Sequence, residues 1–235
     1  MNVLGFDTAT AATVVGLLAD GLDEPLAAED LPAPGERPRH ARQLLVLARG
    51  LLECAGLRFA DVDRVAVGVG PGSFTGVRIG VATARALAQS SGAQLAGVST
   101  LRALAVPAEE AHPGAVALAV VDARRGEVFA AAWRDGRPVL EAQALSPEAL
   151  AERVSARGRA DGETWLAVGD GAVRFSGQLL PAGVTIPAPG SPLHRVSAGV
   201  VCRLGAQADP VPRTALVPEY LRAPDAKPAA RPIAP

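Results

Sequence analysis

The sequence predicts an α/β fold in two lobes built on one plan. Three observations carry that prediction. Short β-branched runs alternate with amphipathic helical stretches, as in a sheet layered by helices. Both halves open with a strand, an acidic turn and a second strand, at Asp7 and again at Asp122. A stretch holding Pro107, His112, Pro113 and Gly114 separates them. The expected organisation is a first lobe over 1–106, a smaller second lobe over 107–222 and a disordered Ala/Pro tail over 223–235.

Each element has its own justification. Asn2 to Phe6 is a short apolar strand, Thr8-Ala9-Thr10 a turn of small residues, and Thr13 to Ala19 a β-branched strand. Leu26 to Leu31 completes a meander. From Arg39 to Ala55, apolar residues at Ala41, Leu44, Leu45, Ala48, Leu51 and Leu52 follow helical spacing, and Gly56 suits the C-terminal cap. Val65 to Val69 is a buried strand. Ser73 caps a helix running to about Gln89. Leu95 to Val98 is a strand, and Ser99 or Thr100 caps a short helix. In the second half, Ala115 to Val121 and Val128 to Trp133 form a hairpin around Asp122–Arg125, with a further turn at Asp135-Gly136. Ser146-Pro147-Glu148 starts a helix. Trp165 to Val168 is a strand, and Leu193 to Leu204 is the last helix.

Composition narrows the function. Hydrophobic residues at 49% and charged ones at 20% exclude a disordered chain. Lys+Arg 23 against Asp+Glu 24 leaves no global basic field for non-specific nucleic-acid binding. Aromatics at 3% argue against a single-strand stacking platform. Cys54 and Cys202 stand far apart, which excludes a disulfide framework and a Cys-based zinc site. Both read as buried free thiols in a reducing compartment. The N-terminus lacks a basic region, and the longest apolar run, Ala115 to Val121, is far short of the roughly 18 residues of a membrane span. A soluble, cytoplasmic protein is expected.

The stretch Gly70 to Gly80 is the most distinctive. It fits neither a Walker A loop, which needs a Lys, nor a dinucleotide fingerprint. Gly70, Pro71, Gly72, Ser73, Thr75 and Arg78 read as residues that build the loop. Gly76, Gly80 and Ala84, four apart, share one helix face. Each helical glycine costs about 1 kcal/mol, so something packs closely there. Either the chain's own sheet or a helix of another protein satisfies that demand. Other chemistry is sparse. His40, His112 and His194 show no metal spacing, and Leu44 stands four residues after His40, where a second ligand would fall. Ser73 lacks a nucleophile-elbow context. Asp7, Thr8 and Thr10 are candidates for phosphate or its Mg²⁺, with Gly169 and Gly171 across a cleft; Asp7 bonding its own turn is the competing role.

Asp7-Thr8-Ala9-Thr10, Gly70 to Gly80, Gly97-Val98-Ser99-Thr100-Leu101, Asp122 to Val128 and Glu219-Tyr220-Leu221-Arg222 stand in this order. Together they resemble the bacterial TsaB (YeaZ-type) family of tRNA threonylcarbamoyladenosine biosynthesis proteins, within the ASKHA, Gcp-like superfamily. The resemblance covers about residues 1 to 222. It implies an actin-like, ribonuclease H-like fold of two ASKHA lobes with mixed sheets flanked by helices. It implies a non-catalytic scaffold without a metal or tightly bound cofactor of its own. The catalytic paralogue TsaD holds the metal, the ATPase TsaE joins the pair with ATP and Mg²⁺, and tRNA is reached through the complex. The family's dimer face assigns His40, Leu44, Leu45, Leu51, Phe74, Gly76, Val77, Gly80 and Ala84 to a partner interface, for TsaD or for a homodimer. Two other functions are weighed against this one. A stand-alone ATPase or small-molecule kinase would use Asp7, Thr8 and Thr10 around Mg-phosphate and the Val168-Gly169-Asp170-Gly171 turn near the nucleotide, on the two sides of an interlobe cleft. A peptidase would need a nucleophile–base or zinc pair that is not legible.

Overall fold

Two five-stranded mixed sheets repeat one strand order. The computed structural model describes residues 1–33 and 35–222, without the side chains of 159–161. In the first sheet, β1 (Val3–Asp7), β2 (Thr13–Leu18) and β3 (Leu26–Asp30) form an antiparallel meander. After α1 (His40–Cys54), β4 (Arg64–Gly70) joins β1 in parallel, pairing Leu4 with Val65. α2 (Phe74–Ser91) leads to β5 (Gln94–Ser99), parallel to β4. The order is β3-β2-β1-β4-β5.

α3 (Thr100–Ala111) then leads to a second meander of β6 (Val116–Arg124), β7 (Glu127–Arg134) and β8 (Arg137–Leu145). α4 (Pro147–Asp161) and β9 (Trp165–Val168) follow, with β9 parallel to β6. α5 (Asp170–Arg174), α6 (Ser176–Leu179), β10 (Val184–Thr185) and α7 (Ala198–Gln207) follow. The second order, β8-β7-β6-β9-β10, is the first one over again. The shared plan expected from the two acidic turns is thus the topology itself.

The central strands show why. β1 is buried along its whole length, and β6 over all but its last residue. Both are nearly continuous apolar runs, as strands covered on two faces must be. Over the first sheet, Leu4, Phe6 and Val15 pack with Leu44, Leu52, Val77 and Val81 of α1 and α2. On its other face, Val3, Ala66 and Val98 pack with Val200 and Val201 of α7. The second sheet lies between α4 to α6, through Leu150, Val154, Ala172 and Leu179, and α3, through Leu101, Leu104, Ala105 and Ala108. Each lobe is therefore roofed by a helix from the other half of the sequence.

This exchange corrects the expected division at 106/107. Pro107 lies inside α3 rather than in a linker. An interior proline costs about 3 kcal/mol, but the buried stripe Leu101–Leu104–Ala105–Ala108 offsets it, at roughly 1.5–3 kcal/mol per fully buried large aliphatic side chain. α7, placed in the second half by sequence, covers the first sheet. It begins at Ala198, not Leu193, because the Ser197 side chain accepts from Val200 N and sets the cap. The same device starts α2, α3 and α4 at Ser73, Ser99 and Ser146. Arg64 ties α7 down. Its guanidinium is buried and donates to the carbonyls of Gly205, Ala206 and Ala208, each at 2.9 Å, and to Gln94 Oε1 at 2.7 Å.

Cys202 is buried, and burial pushes its thiol up to about 12. Cys54, expected to be buried, is exposed because it ends α1 on the solvent side. No helix among the described residues is long and apolar enough to cross a membrane. The tail expected over 223–235 lies outside the described residues.

Candidate functional site

The turn after β1 is where the fold and the candidate chemistry meet. Asp7 is 1% exposed. Its Oδ1 accepts from Ala9 N at 2.6 Å and its Oδ2 from Thr100 Oγ1 at 2.7 Å. A β-carbon on Gly68 would overlap the same carboxylate. Burial raises the Asp7 pKa, and the two hydrogen bonds oppose the shift. Thr8 is fully buried, and its Oγ1 donates to Gly76 O at 2.7 Å. Of the three phosphate candidates on this turn, Asp7 and Thr8 are thus spent inside the fold, and Thr10 alone lines the interlobe cleft. Gly169 and Gly171 do not line it either. Both lie against Val120 of β6, where a β-carbon at either position would collide. They are packing glycines.

The glycine face of α2 is settled by the same turn. A β-carbon at Gly76 would overlap Thr8 O, and one at Gly80 would stand 2.6 Å from Thr8 Oγ1. The chain's own sheet fills the face, so Gly76, Gly80 and Ala84 are not an open docking seam. His40, Leu44, Leu51 and Val77 are likewise buried within this chain. Of the nine residues assigned to a partner, Leu45 at 48% and Phe74 at 49% exposure reach solvent, joined by Val46 at 63%. The loop between β4 and α2 is shaped by its backbone and its contacts. Gly70 has φ +102°. Ser73 N donates to Ala9 O at 2.6 Å and clamps the loop on the turn. Arg78 lies 4.4 Å over the Phe74 ring.

His40 shares a 2.8 Å hydrogen bond with Thr13 Oγ1, and its Nε2 meets no partner among the described residues. Burial lowers its pKa, while the Asp30 charge and the Thr10 backbone pull the other way. The unfolded chain therefore takes up this proton at a higher pH than the folded one, and stability falls as pH drops below about 6.5. Between about pH 7 and 5 the wild type should lose urea midpoint relative to His40→Gln. Asp7, Asp170 and Glu219, with raised values, act in the opposite sense but cancel in that difference. Parallel slopes in the two proteins would refute the assignment.

Between the lobes opens a cavity of about 530 Å³. The first lobe contributes Thr10, Ser73, Phe74 and Thr75, and the second contributes Asp122, Arg124, Phe129 and Asp170. The segment Glu219 to Arg222 closes one side. Asp122 accepts from Arg174 Nη1 at 2.7 Å and Arg124 Nη1 at 3.2 Å. Asp170 Oδ1 accepts from Asp122 N at 3.0 Å, and enclosure by the cleft walls raises its pKa. Desolvation raises Glu219 as well. The cleft thus presents hydroxyls, aromatic walls and nearly balanced charge. Among the described residues, no three His, Cys, Asp or Glu side chains converge as a metal would require. Asp170 lies on the Val168-Gly169-Asp170-Gly171 turn that the sequence sets beside the cleft, whereas Arg124 and the Glu219–Arg222 segment are not legible as lining residues, because distant parts of the chain supply them.

Two sheets of order 3-2-1-4-5 facing across a cleft define the actin-like, ribonuclease H-like (ASKHA) class. A ROK hexokinase from Thermus thermophilus shares this fold, with a TM-score of 0.50 at 14% identity over 88% of this chain and all of that one. The family described as "TsaD: tRNA N6-adenosine threonylcarbamoyltransferase" matches residues 35–158. The Escherichia coli tRNA threonylcarbamoyladenosine biosynthesis protein TsaB is 34% identical over 94% of this chain and 95% of its own length. An uncharacterized Mycobacterium tuberculosis protein is 35% identical over 97% and 95%. A solved structure titled "YeaZ from Pseudomonas aeruginosa" superposes with a TM-score of 0.75 at 29% identity, covering 94% of this chain and 99% of that one. The chain belongs to the TsaB family.

Proposed function

We propose that this protein serves tRNA threonylcarbamoyladenosine biosynthesis as a non-catalytic subunit. In this reading it supports a TsaD-type threonylcarbamoyltransferase, together with the ATPase TsaE, in the cytoplasm. Family membership supports the pathway. The scaffold role is supported above all by Asp7, the acidic residue placed for Mg-phosphate, which is sealed between Ala9 N, Thr100 Oγ1 and Gly68. A carboxylate with both oxygens engaged inside the fold is not available to a nucleotide in the cleft. ATP, Mg²⁺ and metal chemistry are assigned to the partners, and tRNA is met through the assembly.

Reconstitution tests the reading. The cognate TsaD, TsaE, the adenylate-forming enzyme, ATP, threonine, bicarbonate and tRNA are combined with and without this chain, and the modified nucleoside is scored by mass spectrometry. Strict dependence on the chain, without turnover of its own, is the expected result. Full modification in its absence would overturn it. The exposed apolar residues of α1 give a second prediction. Leu45→Asp with Val46→Asp should weaken the complex with TsaD at least about 30-fold, the loss of one buried anchor. Because both side chains are solvent-exposed in this chain, the melting temperature should not change. Titration calorimetry reads the affinity, and an unaltered Kd would remove α1 from the interface.

A further inference from the structure

Among the described residues, the chain passes between the lobes at three places. Ser99 ends β5 in the first sheet, and Leu101 packs on the second. Leu193 packs with the second lobe and Val196 with the first. Finally, Leu216 is buried in the core beneath α1 and α2, while Leu221 packs on the second lobe. The first two passages contribute nothing to the cleft wall, and the second lines a separate groove with Pro107 and Glu110. The third passage is itself a wall of the cleft.

This third passage has neither helix nor strand, yet it is fastened on both sides. Glu219 N donates to Val69 O at 2.8 Å, extending the bonding of β4 in the first lobe. The Tyr220 ring sits 5.6 Å from that of Phe74, in the first turn of α2. On the second lobe, Arg222 Nη1 donates to Ala123 O at 3.3 Å and Glu127 Oε2 at 2.9 Å, gripping the β6–β7 hairpin. We propose that residues 217–222 are a tie that holds the cleft closed and fixes the angle between the sheets, with the two earlier passages as its hinge. Hinges are a few positions that absorb a change in backbone angles, and a contact across the mouth of the cleft opposes their motion. The tie belongs to the single chain and does not depend on any partner.

Pulsed electron-spin distance measurement tests it. Labels go on Ser90→Cys in α2 and Ala156→Cys in α4, both exposed, in a Cys54→Ser background. Cys202 is buried with a raised thiol pKa and stays unlabelled. The otherwise unaltered chain should give one narrow distribution. Arg222→Met combined with Tyr220→Ala should broaden it and shift it. Phe74→Ala, on the opposite lobe, should do the same, because it removes the surface on which Tyr220 rests. Circular dichroism confirms the fold of each variant, and Tyr220→Leu with Arg222→Gln replaces any that unfolds. Distributions unchanged in folded variants would overturn the tie.

Discussion

Gly76→Ala is expected to destabilise the protein by about 3 kcal/mol, the upper end of what overpacking one group into a filled interior costs. The same exchange at Gly50, in the middle of α1, is expected to stabilise it by about 0.5–1 kcal/mol, the helical preference of alanine over glycine. The two sites differ in what a methyl group meets. At Gly50 nothing lies within 4 Å, whereas at Gly76 the Thr8 carbonyl oxygen occupies the space. Thr8 cannot easily retreat, because its side chain is bonded to Gly76 O at 2.7 Å and Asp7 before it is held by Thr100 at 2.7 Å. Urea unfolding of the two variants checks the pair. Equal effects at both sites would mean that the turn after β1 yields freely and does not explain the glycines of α2.

Arg64→Met is expected to cost about 3–4 kcal/mol. The arginine donates to three carbonyls at the end of α7 at 2.9 Å each. A charge-assisted bond contributes about 1.5–3 kcal/mol, and a buried acceptor left unmade costs about 1–3 kcal/mol. Methionine fills the volume of the stem and supplies no donor. Arg64→Lys should recover only part of the loss, since one ammonium cannot reach both the helix end and Gln94 as the planar fork does. Amide exchange should quicken first at Gly205 to Ala208. A loss of less than about 1 kcal/mol would show that the helix end is held by apolar contact alone.

Much of the fold was legible because local chemistry and tertiary packing agree. The apolar stripe of α1, the serine caps of α2 and α4 and the buried runs of β1, β4, β6 and β9 each name their own conformation. β8 is not legible in the sequence, because Pro138 and a half-exposed, non-alternating run hide it. The turn before it, Asp135 with φ 49° and Gly136 with φ 77°, is the hairpin geometry that calls for a strand on its far side. The local sequence predicts a break at Pro107, because the packing that carries α3 through to Ala111 comes from strands that it does not contain. The site was less legible for the same reason. Helical spacing showed that Gly76 and Gly80 demand a close neighbour, but not which one. Asp7 and Thr8 have the residue types of a phosphate site, and only the positions of Thr100, Gly68 and Gly76 reveal that both are already engaged.

The exchange of α3 and α7 between the sheets has a consequence for synthesis. As the chain leaves the ribosome, the first sheet is complete by Ser99, yet the face formed by Val3, Ala66 and Val98 is covered only in part, by Ala103 and Val106 of α3, until Ala198 to Gln207 emerges about a hundred residues later. Closing such a long loop is slow, because its entropy is lost before the contact rewards it. The first half should therefore aggregate when made alone, and the full chain should be most vulnerable to a nascent-chain chaperone between these two points. A fragment ending at Ala111 should be rescued by supplying the α7 segment in trans.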